Sequence, residues 1–177
     1  MNKNWYTNCR AEIERLYGND ADLFCHLLAA TSPRKQVTAN WRLAERIYES
    51  YKMGTLDLAG TLPAHRPNVM RAIAGEELSG RKVRAFARNL CGDMDVVCVD
   101  VWMMRWAGFK KLTDKTYTFI ENLVKQMAAV YHMKPAEMQA ELWCDIIREN
   151  GKTPRSYLAA IDNQMYFWEN ADDRVDD

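Results

Sequence analysis

Residues 79–108 read S-G-R-K-V-R-A-F-A-R-N-L-C-G-D-M-D-V-V-C-V-D-V-W-M-M-R-W-A-G, and their pattern is that of two helices joined by a tight acidic turn. Val83, Phe86, Ala87 and Leu90 recur at helical spacing, Ser79 is the predicted N-cap, and Gly92 is the predicted stop. After Gly92-Asp93 the apolar run Val96-Val97-Cys98-Val99 delivers Asp100 to the start of a second helix that ends at Gly108. Asp is among the preferred N-caps and suits the positive end of a helix, so a capping role for Asp100 follows from its place alone. The basic residues Arg81, Lys82, Arg84 and Arg88 fall around the remainder of the first helix, as a solvated face or as a surface turned toward phosphate.

Outward from this stretch the rest of the chain also reads as helices. Trp5, Cys9, Ile13 and Leu16-Tyr17 trace a first amphipathic helix over 4–17 ending at Gly18. Asn19 or Asp20 then caps L-F-C-H-L-L-A-A, apolar nearly all round and therefore buried, which ends at Thr31-Ser32-Pro33. Val37, Trp41, Ala44, Ile47-Tyr48 and Tyr51 mark a third helix to about Lys52, and the glycines and prolines of 54–67 mark an irregular stretch. Pro67 opens a short helix through Ala74. Thr113 caps a long helix through Tyr131, Pro135 opens another that stops at Gly151, and Thr153-Pro154 starts a last one through Tyr157, Ile161, Met165 and Trp168. No strand-like alternation of useful length appears. The expectation is an all-α fold, a single compact domain of eight to nine helices over 1–168 with a disordered acidic tail at 169–177.

Composition bounds the function. The 177 residues contain 24 basic and 24 acidic side chains, but the last nine hold five of the acids, so that 1–168 carries 23 basic and 19 acidic residues. The body is mildly basic and the tail acidic. No apolar run reaches the roughly 18 residues that a membrane span needs, and M-N-K-N-W-Y lacks a signal-peptide core. A cytoplasmic protein without a membrane partner is expected. The five cysteines are scattered and form no C-x-x-C pair, and His26, His65 and His132 show no ligand spacing, which argues against disulfides, a zinc site or any other metal. No G-x-x-x-x-G-K nucleotide loop is present, and no cofactor is expected.

The pattern Gly80-Arg81-Lys82, an amphipathic helix, then Val99-Asp100 opening another, resembles the helix-hairpin-helix DNA glycosylases of the endonuclease III type. The lysine-to-aspartate separation is also that of the lysine-bearing members. The resemblance implies a helical glycosylase-like domain that acts on double-stranded DNA with the target base flipped out of the stack. It implies catalytic roles for Asp100, as stabiliser of an oxocarbenium-like sugar, and for Lys82, as a Schiff-base nucleophile or a phosphate contact. By the same resemblance Thr31, Ser32, Arg34 and Lys35, in the loop after the second helix, face DNA, and Ser79, Gly80, Arg81 and Arg84 form the hairpin side of the interface. His26, Trp102, Met103 and Trp143 are candidates for the walls of a base pocket. Where the family hairpin has two glycines flanking one residue, this chain has Leu78-Ser79-Gly80, so the first glycine is missing. The iron–sulfur cysteines of several members of that family are missing too, so the resemblance implies a small cluster-free member. Such chains occur in bacterial viruses, where relatives edit hypermodified pyrimidines, and modified thymine or cytosine becomes a candidate substrate. The alternative is a non-catalytic module that uses the same helical scaffold to bind DNA or a protein.

Overall fold

A computed structural model describes residues 2–162. Among the described residues there is no strand, and eight α-helices follow in order: α1 (Trp5–Tyr17), α2 (Ala21–Thr31), α3 (Val37–Lys52), α4 (Arg66–Ile73), α5 (Arg81–Leu90), α6 (Val101–Trp106), α7 (Asp114–Val130) and α8 (Pro135–Glu149). Short 3-10 turns over Gly18–Asp20 and Pro63–His65 lead into α2 and α4. Residues 157–162 are helical as well, so the last helix starts later than Thr153-Pro154 suggests. Met165, Trp168, the expected domain end at 168 and the acidic tail lie outside the described residues.

Most boundaries follow local chemistry. Thr113 caps α7 by accepting from the Thr116 amide, and the Thr116 hydroxyl accepts in turn from the Thr113 amide. Pro67 and Pro135 sit in the first turns of α4 and α8, where a missing N–H costs nothing. The expected cap at Ser79 is displaced by one residue. Gly80 takes the N-cap place of α5 at φ +99° and ψ 128°, a backbone conformation that a side chain disfavours. Both backbone polar groups of Ser79 are instead held by the Asn68 side chain of α4, each at 2.8 Å.

Two apolar cores meet in one body. The larger gathers α1 to α5 with Ala136, Ala140 and Tyr157, around the fully buried Phe24, Leu27, Leu28, Trp41 and Ile47. The smaller joins Val97, Val99, Met103 and Met104 to Tyr117, Ile120, Val124 and Met138. The 97–99 segment is tied to α7 through Tyr117, whose hydroxyl donates to the Val97 carbonyl (2.9 Å) and accepts from the Val99 amide (3.3 Å). Helix α8 contacts α1 on one side and α6 and α7 on the other. The functional candidates sit where these two cores adjoin.

Candidate functional site

A cavity of about 360 Å³ lies at this junction, within the size range of small-molecule sites. Lys82 and Asp100 both line it. Each arrives by a separate route. Gly80 starts α5 so that Lys82 is its second residue, and the clamped 97–99 segment sets Asp100 at the head of α6. The two routes are stitched together at Cys98, whose thiol donates to the Lys82 carbonyl (3.6 Å). Burial, with the Asp100 charge adding to it, pushes that thiol up to about 12 and keeps it protonated.

Asp100 caps α6 as expected and does more. Oδ1 accepts from the amides of Trp102 (2.9 Å) and Met103 (3.0 Å), and Oδ2 accepts from the indole Nε1 of Trp143 in α8 (2.9 Å). Three N–H donors from two helices therefore hold a half-buried carboxylate in one orientation. Lys82 is half-buried, and its ammonium has no hydrogen-bond or ion-pair partner among the described residues.

The walls are aromatic. Trp5, Tyr6, Phe86, Trp102, Trp143 and Tyr157 all line the cavity, and Trp5 makes ring contacts with Tyr6, Phe86, Trp143 and Tyr157 at centroid distances of 4.9, 6.4, 6.1 and 5.7 Å. The mouth is cationic. Arg34 and Lys35 are exposed lining residues, and Arg34 stands at φ +60° in the turn between α2 and α3. The Trp102 ring carries the guanidinium of Arg105 at 4.7 Å and the ammonium of Lys152 at 5.1 Å. None of Arg34, Lys35, Lys82, Arg105 and Lys152 has a carboxylate within ion-pair distance among the described residues.

Several sequence candidates fall elsewhere. Thr31 is only 2% exposed; its hydroxyl lies 2.7 Å from Asn40 Oδ1 and 2.8 Å from the Leu27 carbonyl, so it closes α2 internally and faces no ligand. Of the loop expected to face DNA, Ser32, Arg34 and Lys35 reach the cavity and Thr31 does not. His26 is no part of the cavity. Its Nδ1 donates to the Asp22 carbonyl (2.7 Å) and lies 3.8 Å from Cys91 Sγ, away from Lys82 and Asp100. Met103 is fully buried in the smaller core. Trp102 and Trp143 do line the cavity.

On the hairpin side, Ser79 and Gly80 are exposed, but Leu78 plugs the core at 2% exposure and the Ser79 amide is spent on Asn68. Arg81 is turned inward: its guanidinium stacks 4.2 Å over Tyr117, bonds Glu121 (2.8 Å) and donates to Thr118 (2.8 Å). Arg84 faces Glu77 at 3.9 Å. These two cations hold protein together or face an acid of the hairpin itself, which sets them apart from the mouth.

The chain belongs to the DUF7178 family. The model of that family, one of unknown function, matches residues 2–151. No curated protein and no solved structure matches the chain. The DUF7178 match runs from α1 through α8 and so takes in Lys82, Asp100 and Trp143, while Tyr157 lies beyond it. Among the described residues no helix is long and apolar enough to cross a membrane, and no group of His, Cys, Asp or Glu is arranged to hold a metal ion.

Sequence reading missed Tyr6, Asn40, Phe86, Gln139 and Tyr157 as cavity residues. A signal for two of them was present. Asn40 and Gln139 are polar residues at positions of α3 and α8 that fall four residues before Ala44 and Trp143, inside otherwise apolar stripes. A polar side chain there must find a partner or serve a ligand.

Proposed function

We propose that the chain is a DNA glycosylase, or a glycosylase-like enzyme, acting on a damaged or modified base. The observation that carries this reading is the meeting of Lys82 and Asp100, brought by separate helices, on one aromatic-walled cavity with an unneutralised cationic mouth. A flat base stacks on aromatic rings with a few kcal/mol at most per contact, and phosphates favour unpaired arginine and lysine. Both chemistries are needed to draw a nucleotide out of a duplex.

In this reading Asp100 is a fixed negative charge for the oxocarbenium-like sugar that forms as the N-glycosidic bond breaks, since its orientation is set before substrate arrives. Lys82 supplies the nucleophile. Its unprotonated Nζ donates a lone pair to C1′, the glycosidic electron pair leaves with the base, and the base takes up a proton. Ring opening of the resulting hemiaminal ether, with the remaining Nζ proton passing to O4′ as the C1′–O4′ bond breaks, then gives the Schiff base.

Borohydride trapping on a duplex containing an abasic site or a hydroxymethylated pyrimidine tests the proposal. A covalent adduct is expected with the natural chain and none with Lys82→Ala; Asp100→Asn is expected to bind the duplex and release no base. Absence of both adduct and base release across such substrates refutes the reading. A second reading, a non-catalytic DNA- or protein-binding module, is favoured by the hairpin, where Glu76 and Glu77 stand beside the missing glycine and Leu78 is buried. It is the one left standing if Asp100→Asn changes neither binding nor product.

A further inference from the structure

At the buried end of the cavity Tyr6, Asn40, Gln139 and Tyr157 are all nearly inaccessible and all uncharged. Asn40 is fully used: its amide nitrogen donates to the Leu28 carbonyl (3.1 Å) and the Tyr157 hydroxyl (2.6 Å), and its oxygen lies 2.7 Å from Thr31 Oγ1. Gln139 is half used. Its Oε1 accepts from the Tyr6 hydroxyl at 2.7 Å, while its amide nitrogen has no partner among the described residues. Burial raises the Tyr6 hydroxyl well above its ordinary range, so it keeps its proton and remains a donor. The described groups that are sealed from solvent without a partner are Trp41 Nε1, Thr61 Oγ1 and Asn89 Oδ1, and Gln139 is not one of them. Gln139 is 4% exposed and lines the cavity, so its amide meets solvent there.

A buried amide donor fixed at one end and open at the other discriminates between ligands, because leaving it unpaired costs its desolvation. We infer that Gln139 is the specificity-determining residue of the cavity, donating to a ring carbonyl of a flat heterocycle stacked among the aromatic walls. The inference deepens the base-excision reading and rests on it for the source of the ring. Tyr6 is the positioning residue: it binds Oε1 and thereby presents the N–H group.

The test uses free bases that differ in the carbonyl, hypoxanthine against purine and uracil against pyrimidine, with binding followed by ligand-observed NMR and by tryptophan fluorescence. The carbonyl-bearing member of each pair is expected to bind about 5- to 10-fold tighter, the worth of one buried hydrogen bond. Gln139→Leu is expected to shrink that gap to about twofold. The double variant Tyr6→Phe with Gln139→Leu removes both polar partners and gives the same result if the single variant folds poorly. A measurement without mutation accompanies it: at saturation the side-chain amide signals of Gln139 move downfield with uracil, as hydrogen bonding requires, and lack that downfield shift with pyrimidine. Equal binding within each pair, no binding of any base, an unmoved amide signal, or a preference for adenine over hypoxanthine overturns the inference. Base release from duplexes is scored separately, so a chain that selects carbonyl bases yet releases none refutes the glycosylase reading and leaves the Gln139 assignment intact.

Discussion

The face of α5 that carries Arg81, Arg84 and Arg88 and the mouth of the cavity are both rich in cations, and they are built in opposite ways. Arg81, Arg84 and Arg88 meet Glu121, Glu77 and Asp93, and Arg71 of α4 meets Glu76. Arg34, Lys35, Lys82, Arg105 and Lys152 meet no carboxylate among the described residues. The number of cations is similar, but their availability is not. A phosphate that approaches α5 must first compete with an existing acid, whereas one at the mouth meets no carboxylate partner and at Lys35 competes only with the Gly60 carbonyl (3.2 Å).

The sharpest way to break this comparison is charge reversal on each side. Arg34→Glu with Lys35→Glu is expected to weaken duplex binding by about 100-fold at low salt, since each reversal exchanges an attraction for a repulsion near the same phosphates. Arg84→Glu with Arg88→Glu is expected to change it by less than about threefold. Fluorescence anisotropy with one labelled duplex reads both. Equal losses would mean that the pairing of α5 does not distinguish it from the mouth in the proposed DNA reading.

Next in size is the internal role of the α5 cation nearest the site. Arg81→Ala removes a bond to Glu121 and the stack on Tyr117, and Tyr117 is the residue that clamps the 97–99 segment beneath Asp100. A loss of about 1–2 kcal/mol in urea unfolding is expected, larger than an exposed ion pair supplies because the contact is partly buried. Tyr117→Phe keeps the ring and loses the two hydroxyl bonds, for about 1 kcal/mol. A stability effect near zero for Arg81→Ala would return it to the set of free surface cations.

The same ion pair has a pH signature. Burial raises the Glu121 carboxyl, and Lys125 and Arg81 lower it by more, so it lies below its ordinary 4.5 in the folded chain. A carboxylate depressed by folding adds stability above its unfolded pKa and loses it as pH falls through the folded one. Stability is therefore expected to decline as pH drops below about 4.5. Glu121→Gln flattens that part of the urea-midpoint profile, and an unchanged acid limb in this variant would deny the pair its role.

The helices of this fold were legible because their ends are written locally. Asp100, Thr113, Pro67 and Pro135 state where helices begin, and Lys52 closes α3 where its apolar stripe runs out. Ser79 misled by one residue because a serine is the better capping side chain, while the backbone at that corner required the freedom of Gly80. The site was legible only in half. Lys82 and Asp100 could be singled out on their own helices, but the Trp143 indole reaches Asp100 across 43 residues and the Tyr6 hydroxyl reaches Gln139 across 133. Such partners are set by how α1 and α8 pack, which no local spacing encodes. Arg81 shows the reverse error: its charge looks free in sequence, and an acid on α7 claims it.

The smallest expected effect separates a cation that only stacks on a cavity wall from one that touches phosphate. Lys152 is exposed, and its ammonium lies 5.1 Å from the Trp102 ring opposite no acid among the described residues. Lys152→Met keeps most of the aliphatic stem over the indole and deletes only the charge. If that charge neutralises one phosphate, the slope of log affinity against log salt becomes shallower by about 0.9, while affinity at moderate salt falls only a few-fold. A slope equal to that of the natural chain, with Trp102 fluorescence altered, would show Lys152 to be a support for the indole alone.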